Sequence, residues 1–135
     1  MTRFTTVINP ENLAGNPAFA QGVITEAGRT IYVGGQNGVD TTGALVEGLE
    51  AQTAQAIRNV LTVLEAAGTG PENVARLSIH LLDGSDPRAA FAASGAVWGN
   101  HPTAITVLLV SGLARPGALV EIDAIATVPP RTGAA

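Results

Sequence analysis

A chain of 135 residues, 46% hydrophobic and 13% charged, can fill one core and is too apolar to be disordered. Its net charge is −4, and its seven basic residues are scattered arginines, so no basic stripe exists to neutralise phosphates, which argues against nucleic-acid binding. Cysteine is absent, which excludes a disulfide framework, a thiolate metal site and a cysteine nucleophile.

Phe4 to Ile8 reads as a short strand, and residues 9–18, rich in Asn, Pro and Gly, as a loop. Phe19 to Glu26 reads as a strand, joined by a hairpin turn at Ala27-Gly28-Arg29 to a partner strand from Thr30 to Gly35. The period then changes. Val46, Leu49, Thr53, Ile57, Val60, Leu61 and Leu64 recur at helical spacing, while Glu50, Gln52, Gln55, Arg58 and Asn59 cover the other side. This predicts a helix of about five turns, stopped by Gly68 and Pro71. Val74 to Leu82 is a predicted strand with Ala75, Leu77, Ile79 and Leu81 on one face and Arg76, Ser78 and His80 on the other. Asp86 and Pro87 supply an N-cap and a first helical residue. Ala90, Phe91, Ser94, Val97 and Trp98 form that helix's inner stripe, and His101-Pro102 ends it. Ala104 to Val110 is apolar on both faces and reads as a buried strand. After a turn at residues 112–117, Leu119 to Val128 is the last strand, and residues 129–135 are expected to form a flexible tail.

These elements fit a single α+β domain over residues 1–135, with no repeat or linker. Two helices cover only one face of the sheet. The second apolar face then requires burial outside the chain, most simply in a homo-oligomer. No apolar run approaches the roughly 18 residues of a membrane helix. The N-terminus also lacks the apolar core of a signal peptide. The expectation is a cytoplasmic protein with no membrane partner.

Glu121 and Asp123 stand two residues apart in the apolar run from Ala118 to Ala126, so they share one face of the strand. A carboxylate among apolar neighbours is a candidate acid or base, because desolvation raises its pKa. An edge strand with one wet face accounts for the same spacing. Gly34 to Gly38 lacks the Gly-Lys-Ser/Thr ending of a phosphate loop and reads as a strand-end turn. His80 and His101 show no metal-ligand spacing with nearby acids, and no serine has a local nucleophile motif. Neither a metal nor a cofactor is expected, and Trp98 reads as packing.

Gly34-Gly35-Gln36 ahead of a long helix, the segment from Pro17 to Gly22, and the closing run from Val120 to Ala126 together resemble the Rid (YjgF-type) family. The similarity runs from about residue 7 to residue 129 in the same element order. The resemblance implies a chorismate-mutase-like fold, with a mixed six-stranded sheet and two helices on one face. It also implies a homotrimer with a central barrel, interface pockets, and hydrolysis of reactive enamines and imines to keto acids and ammonia.

The family's water-activating glutamate matches Glu121, which leaves Asp123 a bystander, and the turn glycine matches Gly35. Phe19 stands where the family has a pocket tyrosine. Ala104 replaces the arginine that clamps the substrate carboxylate. Thr106 retains a backbone N–H, and Phe91 matches an asparagine of the second helix. Without a bidentate arginine, an anionic imino acid beside Glu121 would place two negative charges together. Among the arginines, only Arg115 or Arg3 of another subunit suggests a replacement. The apolar changes at Phe19, Phe91 and Ala104 favour a neutral, larger substrate. The expected function is therefore a deaminase-like hydrolase or tautomerase acting on an imine, enamine or related small molecule through Glu121. The other reading is a non-catalytic binding or regulatory member holding an apolar metabolite. Ribonuclease, an older label of the family, is opposed by the acidic charge.

Overall fold

The computed structural model describes residues 3–130. Its elements run β1 (Thr5–Ile8), β2 (Gly22–Thr25), β3 (Arg29–Gln36), α1 (Leu49–Ala66), β4 (Val74–Leu82), α2 (Pro87–Trp98), β5 (Ala104–Val110) and β6 (Val120–Val128). A single 3-10 turn, Pro71–Asn73, leads into β4. The expected loose tail lies outside the described residues from position 131 onward.

α1 forms where the apolar period called for it. Thr53, Ile57, Val60 and Leu64 are buried along its inner side. Gly68, at φ 82, turns the chain out of the helix. Gln52 belongs to the buried side and not, as its polarity suggested, to the solvent side. Its Nε2 donates to the Gly117 carbonyl at 3.2 Å, and its Oε1 accepts from the Leu119 N–H at 2.8 Å. A buried amide is tolerated because both of its ends are bonded. α2 starts as its sequence dictates, with the Asp86 carboxylate accepting the Arg88 N–H at 2.9 Å and Pro87 in the first turn.

The strands form a mixed four-stranded sheet in the order β3-β6-β4-β5 and a separate ribbon of β1 with β2. β6 runs antiparallel to both β3 and β4, while β4 and β5 are parallel and joined through α2. Parallel neighbours need such a crossover. The hairpin expected between β2 and β3 is not made. β2 pairs with β1, from Thr5 opposite Thr25 to Ile8 opposite Gly22, and β3 pairs with β6. Gly28 permits this: a side chain there would place its Cβ 2.7 Å from the Val128 carbonyl oxygen, so only glycine lets the chain close onto the end of β6. The strand expected from Phe19 begins instead at Gly22, because local bonds claim the preceding backbone. The Asn16 side chain accepts from the Ala18 N–H, and the Asn16 carbonyl accepts from the Phe19 N–H.

The core lies between α1 and the sheet, where Ile57, Leu64, Leu77, Leu81, Val120 and Ile122 are almost wholly buried. A register shift between Val74 and Arg76 changes one assignment on β4. Val74 enters the core, and Ala75 is only partly buried. A bulge of this kind turns a side chain to the opposite face. β5 is not the buried strand its composition suggested. It forms an edge, with Val107, Leu108 and Leu109 exposed at 43%, 51% and 52%.

Candidate functional site

On β6 the residues Val120, Ile122 and Ala124 point into the core, so Glu121 and Asp123 lie on the sheet face opposite the helices. Glu121 sits opposite His80 on β4, and Asp123 opposite Ser78. The Glu121 carboxylate rests against the irregularity in β3 between Val33 and Gln36. A Cβ on Gly35 would stand 2.6 Å from Glu121 Oε2, so the carboxylate occupies the space that glycine leaves open. Asn37 Nδ2 donates to the Val120 carbonyl at 3.1 Å and lies 3.4 Å from Glu121 Oε1. Asn59 on α1 anchors this loop in turn, donating to the carbonyls of Asn37 and Val39 at 3.2 and 3.0 Å. His80 Nδ1 lies 3.3 Å from the Glu121 carbonyl oxygen and does not engage its carboxylate. Further off, in the loop before α1, the Thr42 hydroxyl and N–H groups hold the Asp40 carboxyl below its usual range.

A second group gathers at the start of β5. The rings of Phe19 and Phe91 meet edge to face, with centroids 5.7 Å apart. Phe19 bridges to Thr103, and the Ala20 N–H donates to the Thr103 carbonyl at 3.0 Å, which pins this loop beside Ala104. Thr106 lies two strands away from Glu121 and two residues further along. With strand spacings near 4.8 Å and a rise near 3.3 Å, that separation is on the order of 12 Å. One chain thus brings Glu121 to Gly35 and Phe19 to Phe91, but it holds the two groups apart.

Arg76 was missed by sequence reading. It stands directly opposite Ala104 in the β4–β5 ladder. Its guanidinium donates to Thr106 Oγ1 at 3.0 Å and to Ser78 Oγ at 3.3 Å. A cation therefore stands beside Ala104. The alternation of β4 had already put Arg76 on the polar face, but only the cross-strand register reveals its neighbour. Within the chain, Arg115 donates to the Gly43 carbonyl at 2.7 Å, and Arg3 to Thr5 Oγ1 at 3.2 Å. Among the described residues, no three His, Asp or Glu side chains converge as a metal site, and no helix is long and apolar enough to cross a membrane.

A mixed sheet with both helices on one face defines an α+β protein of the chorismate-mutase-like class. Comparison with known proteins carries this to a family. The family model described as Endoribonuclease L-PSP matches residues 11–128, and the chain belongs to the Rid (YjgF-type) family. It is 37% identical over 124 residues to a 2-iminobutanoate/2-iminopropanoate deaminase of Rattus norvegicus, covering 87% of this chain and 85% of that protein. A RutC family protein of Pyrococcus horikoshii is 32% identical over 122 residues, covering 89% and 95%. Among solved structures, a Rid-family protein of unknown function from Yersinia pestis matches with a TM-score of 0.83 at 33% identity, over 93% of this chain and 99% of that one.

Proposed function

We propose that this chain is a small-molecule enzyme that hydrolyses a C=N bond, with Glu121 holding and activating the attacking water. The observation that carries the reading is the Glu121 carboxylate seated in the space left by Gly35 on the open sheet face. In the reaction, the water oxygen bonds to the imine carbon and its proton passes through Glu121 to the nitrogen. Collapse of the adduct then releases ammonia and a carbonyl compound. Similarity to a 2-iminobutanoate/2-iminopropanoate deaminase supports this class of chemistry. Phe19, Phe91 and Ala104 favour a neutral substrate with a larger apolar group.

Completion of the site calls for a homotrimer. Head-to-tail contact of copies through β5 would set Ala104 and Thr106 of one copy across from Glu121 of the next, closing the gap within a single chain. The exposed Val107, Leu108 and Leu109 supply an apolar surface for that contact. Light scattering is expected to give three times the chain mass. Leu108→Asp is expected to yield monomers with little activity, whereas a fully active wild-type monomer would exclude the shared site.

Ammonia release from a neutral and an anionic imine, measured side by side, tests the substrate. Wild type is expected to prefer the neutral imine, Ala104→Arg to gain turnover of the anionic one, and Glu121→Gln to lose both. A wild type inert on every imine tested, which retains a bound metabolite unchanged, would leave the binding-module reading. One observation favours a second substrate reading. Arg76, beside Ala104, can offer its guanidinium to a substrate carboxylate. In that case wild type prefers the anionic imine, and Arg76→Ala removes the preference.

A further inference from the structure

The loop after β3 brings one side-chain amide to the Glu121 carboxylate, and a row of further amides stands behind it. Asn37 Nδ2 lies 3.4 Å from Glu121 Oε1 and donates to the Val120 carbonyl at 3.1 Å. The Asn37 and Val39 carbonyls accept from Asn59 Nδ2 at 3.2 and 3.0 Å. Asn59 Oδ1 accepts from Gln55 Nε2 at 2.9 Å, and Gln55 Oε1 accepts from Nε and Nη2 of Arg58 at 3.3 and 3.1 Å. The row therefore runs from the exposed side of α1 to one oxygen of the candidate base.

The two ends of the row fix its direction. An arginine only donates and a carboxylate or carbonyl only accepts, whereas an amide does both. With Arg58 on Gln55 Oε1, the Gln55 amide turns its nitrogen to Asn59. Asn59 then turns its own nitrogen to the loop carbonyls. Asn59 serves two carbonyls with the two hydrogens of that nitrogen, so the loop is clamped on both sides of Gly38, which lies against the Gln52 backbone. Asn37 is held by this clamp, and its side-chain amide is directed at Glu121.

We infer that Asn37 is a positioning residue for hydrolysis, and that Asn59 sets turnover from α1 by keeping Asn37 in place. Asn37 engages Glu121 through Oε1, which leaves Oε2, over Gly35, to receive the proton of the attacking water. This inference rests on the hydrolytic reading of Glu121. Neither asparagine needs to touch substrate, so both act on kcat and leave KM in place.

A double-variant cycle on the full chain tests this. Asn37→Leu keeps the branched shape without the donor, and is expected to lower kcat for a neutral imine by roughly tenfold with KM within about twofold. Asn37→Ala removes the donor with no bulk in its place and is expected to give the same result. Asn59→Ala is expected to lower kcat by about fivefold in the wild-type background but by less than about twofold in Asn37→Leu, because its effect passes through Asn37.

Carbon-13 NMR of the Glu121 carboxyl, assigned by its loss in Glu121→Gln, reads the same hold without substrate. Its titration midpoint is expected to rise by about half a pH unit in each single variant, since a carboxylate that loses a donor loses some preference for its charged form. Arg76 and His80 of β4, Asp123 of β6, Tyr32 of β3 and Asp40 of the loop are the other charged or titratable groups around it, and they are the same in every variant. Wild-type kcat in both Asn37 variants would overturn the role of Asn37. Full multiplication of the two losses in the double variant would overturn the route from Asn59 through Asn37. A wild type inert on every imine would remove the hydrolytic reading, whereas unmoved midpoints would remove the hold on Glu121 whether or not an imine turns over.

Discussion

Glu121→Gln is expected to lower the turnover of a neutral imine by roughly 10²–10⁴-fold, the usual contribution of a positioned acid–base group. The amide keeps the shape of the carboxylate, so Gly35 and Asn37 still accommodate it, but it cannot take a proton from water. Gly35→Ala approaches the same group from the other side. Its Cβ would meet Glu121 Oε2 at 2.6 Å and Cδ at 2.8 Å. Those atoms end a side chain that can swing, so the expected cost in stability is small, within about 1 kcal/mol. The expected cost in turnover approaches that of the glutamine variant, because the carboxylate leaves its place. Rates of ammonia release, set beside urea unfolding curves for the same samples, separate the two quantities. Wild-type turnover in Glu121→Gln would remove Glu121 from the chemistry. Wild-type turnover in Gly35→Ala alone would show that the carboxylate need not stay where the structure holds it.

Gly38→Ala is expected to cost far more stability than Gly35→Ala, although it adds the same methyl group. Here the neighbours are main chain. The new Cβ would lie 2.5 Å from both Cα and O of Gln52 and 2.8 Å from its carbonyl carbon. None of these atoms can rotate away, so α1 must lift from the loop it rests on. The Gln52 side chain ties α1 to Gly117 and Leu119, so the shift reaches the approach to β6 as well. Overpacking of this kind costs typically 1–3 kcal/mol and occasionally more; about 3 kcal/mol is expected here, which lowers the Tm of a chain this size by about 10 °C. Thermal unfolding by circular dichroism checks it, with Gly15→Ala as comparison, since a Cβ at Gly15 meets nothing within 4 Å. A Tm equal to that of the comparison variant would mean that α1 is not seated on Gly38 in solution.

The contrast between those two glycines shows how legibility divides. Both stand in the stretch Gly34-Gly35-Gln36-Asn37-Gly38, and nothing local marks one as facing a carboxylate and the other a helix backbone. The bounds of β4 and β5 and the start of α2 were readable, because alternation, apolar runs and an Asp-Pro cap are local properties. The partner of β3 was not readable. A turn signal at Ala27-Gly28-Arg29 is compatible with a hairpin, and the choice of β6 rests on a close approach between residues a hundred positions apart. Gln52 and Asn59 read as solvent-facing for the same reason, since their bonding partners lie in distant loops.

By itself, the sequence determined the order of the helices and strands, the family pattern and the shared face of Glu121 and Asp123, because period and motif order need no knowledge of what lies alongside. Only the tertiary structure decided that Gly35 leaves room for the Glu121 carboxylate, that Arg76 stands beside Ala104, and that α2 rests on α1 and stands farther from β4 and β5. Those outcomes depend on cross-strand register and on the distance between helix and sheet. Both are set by the packing of the whole core, so no single segment carries them.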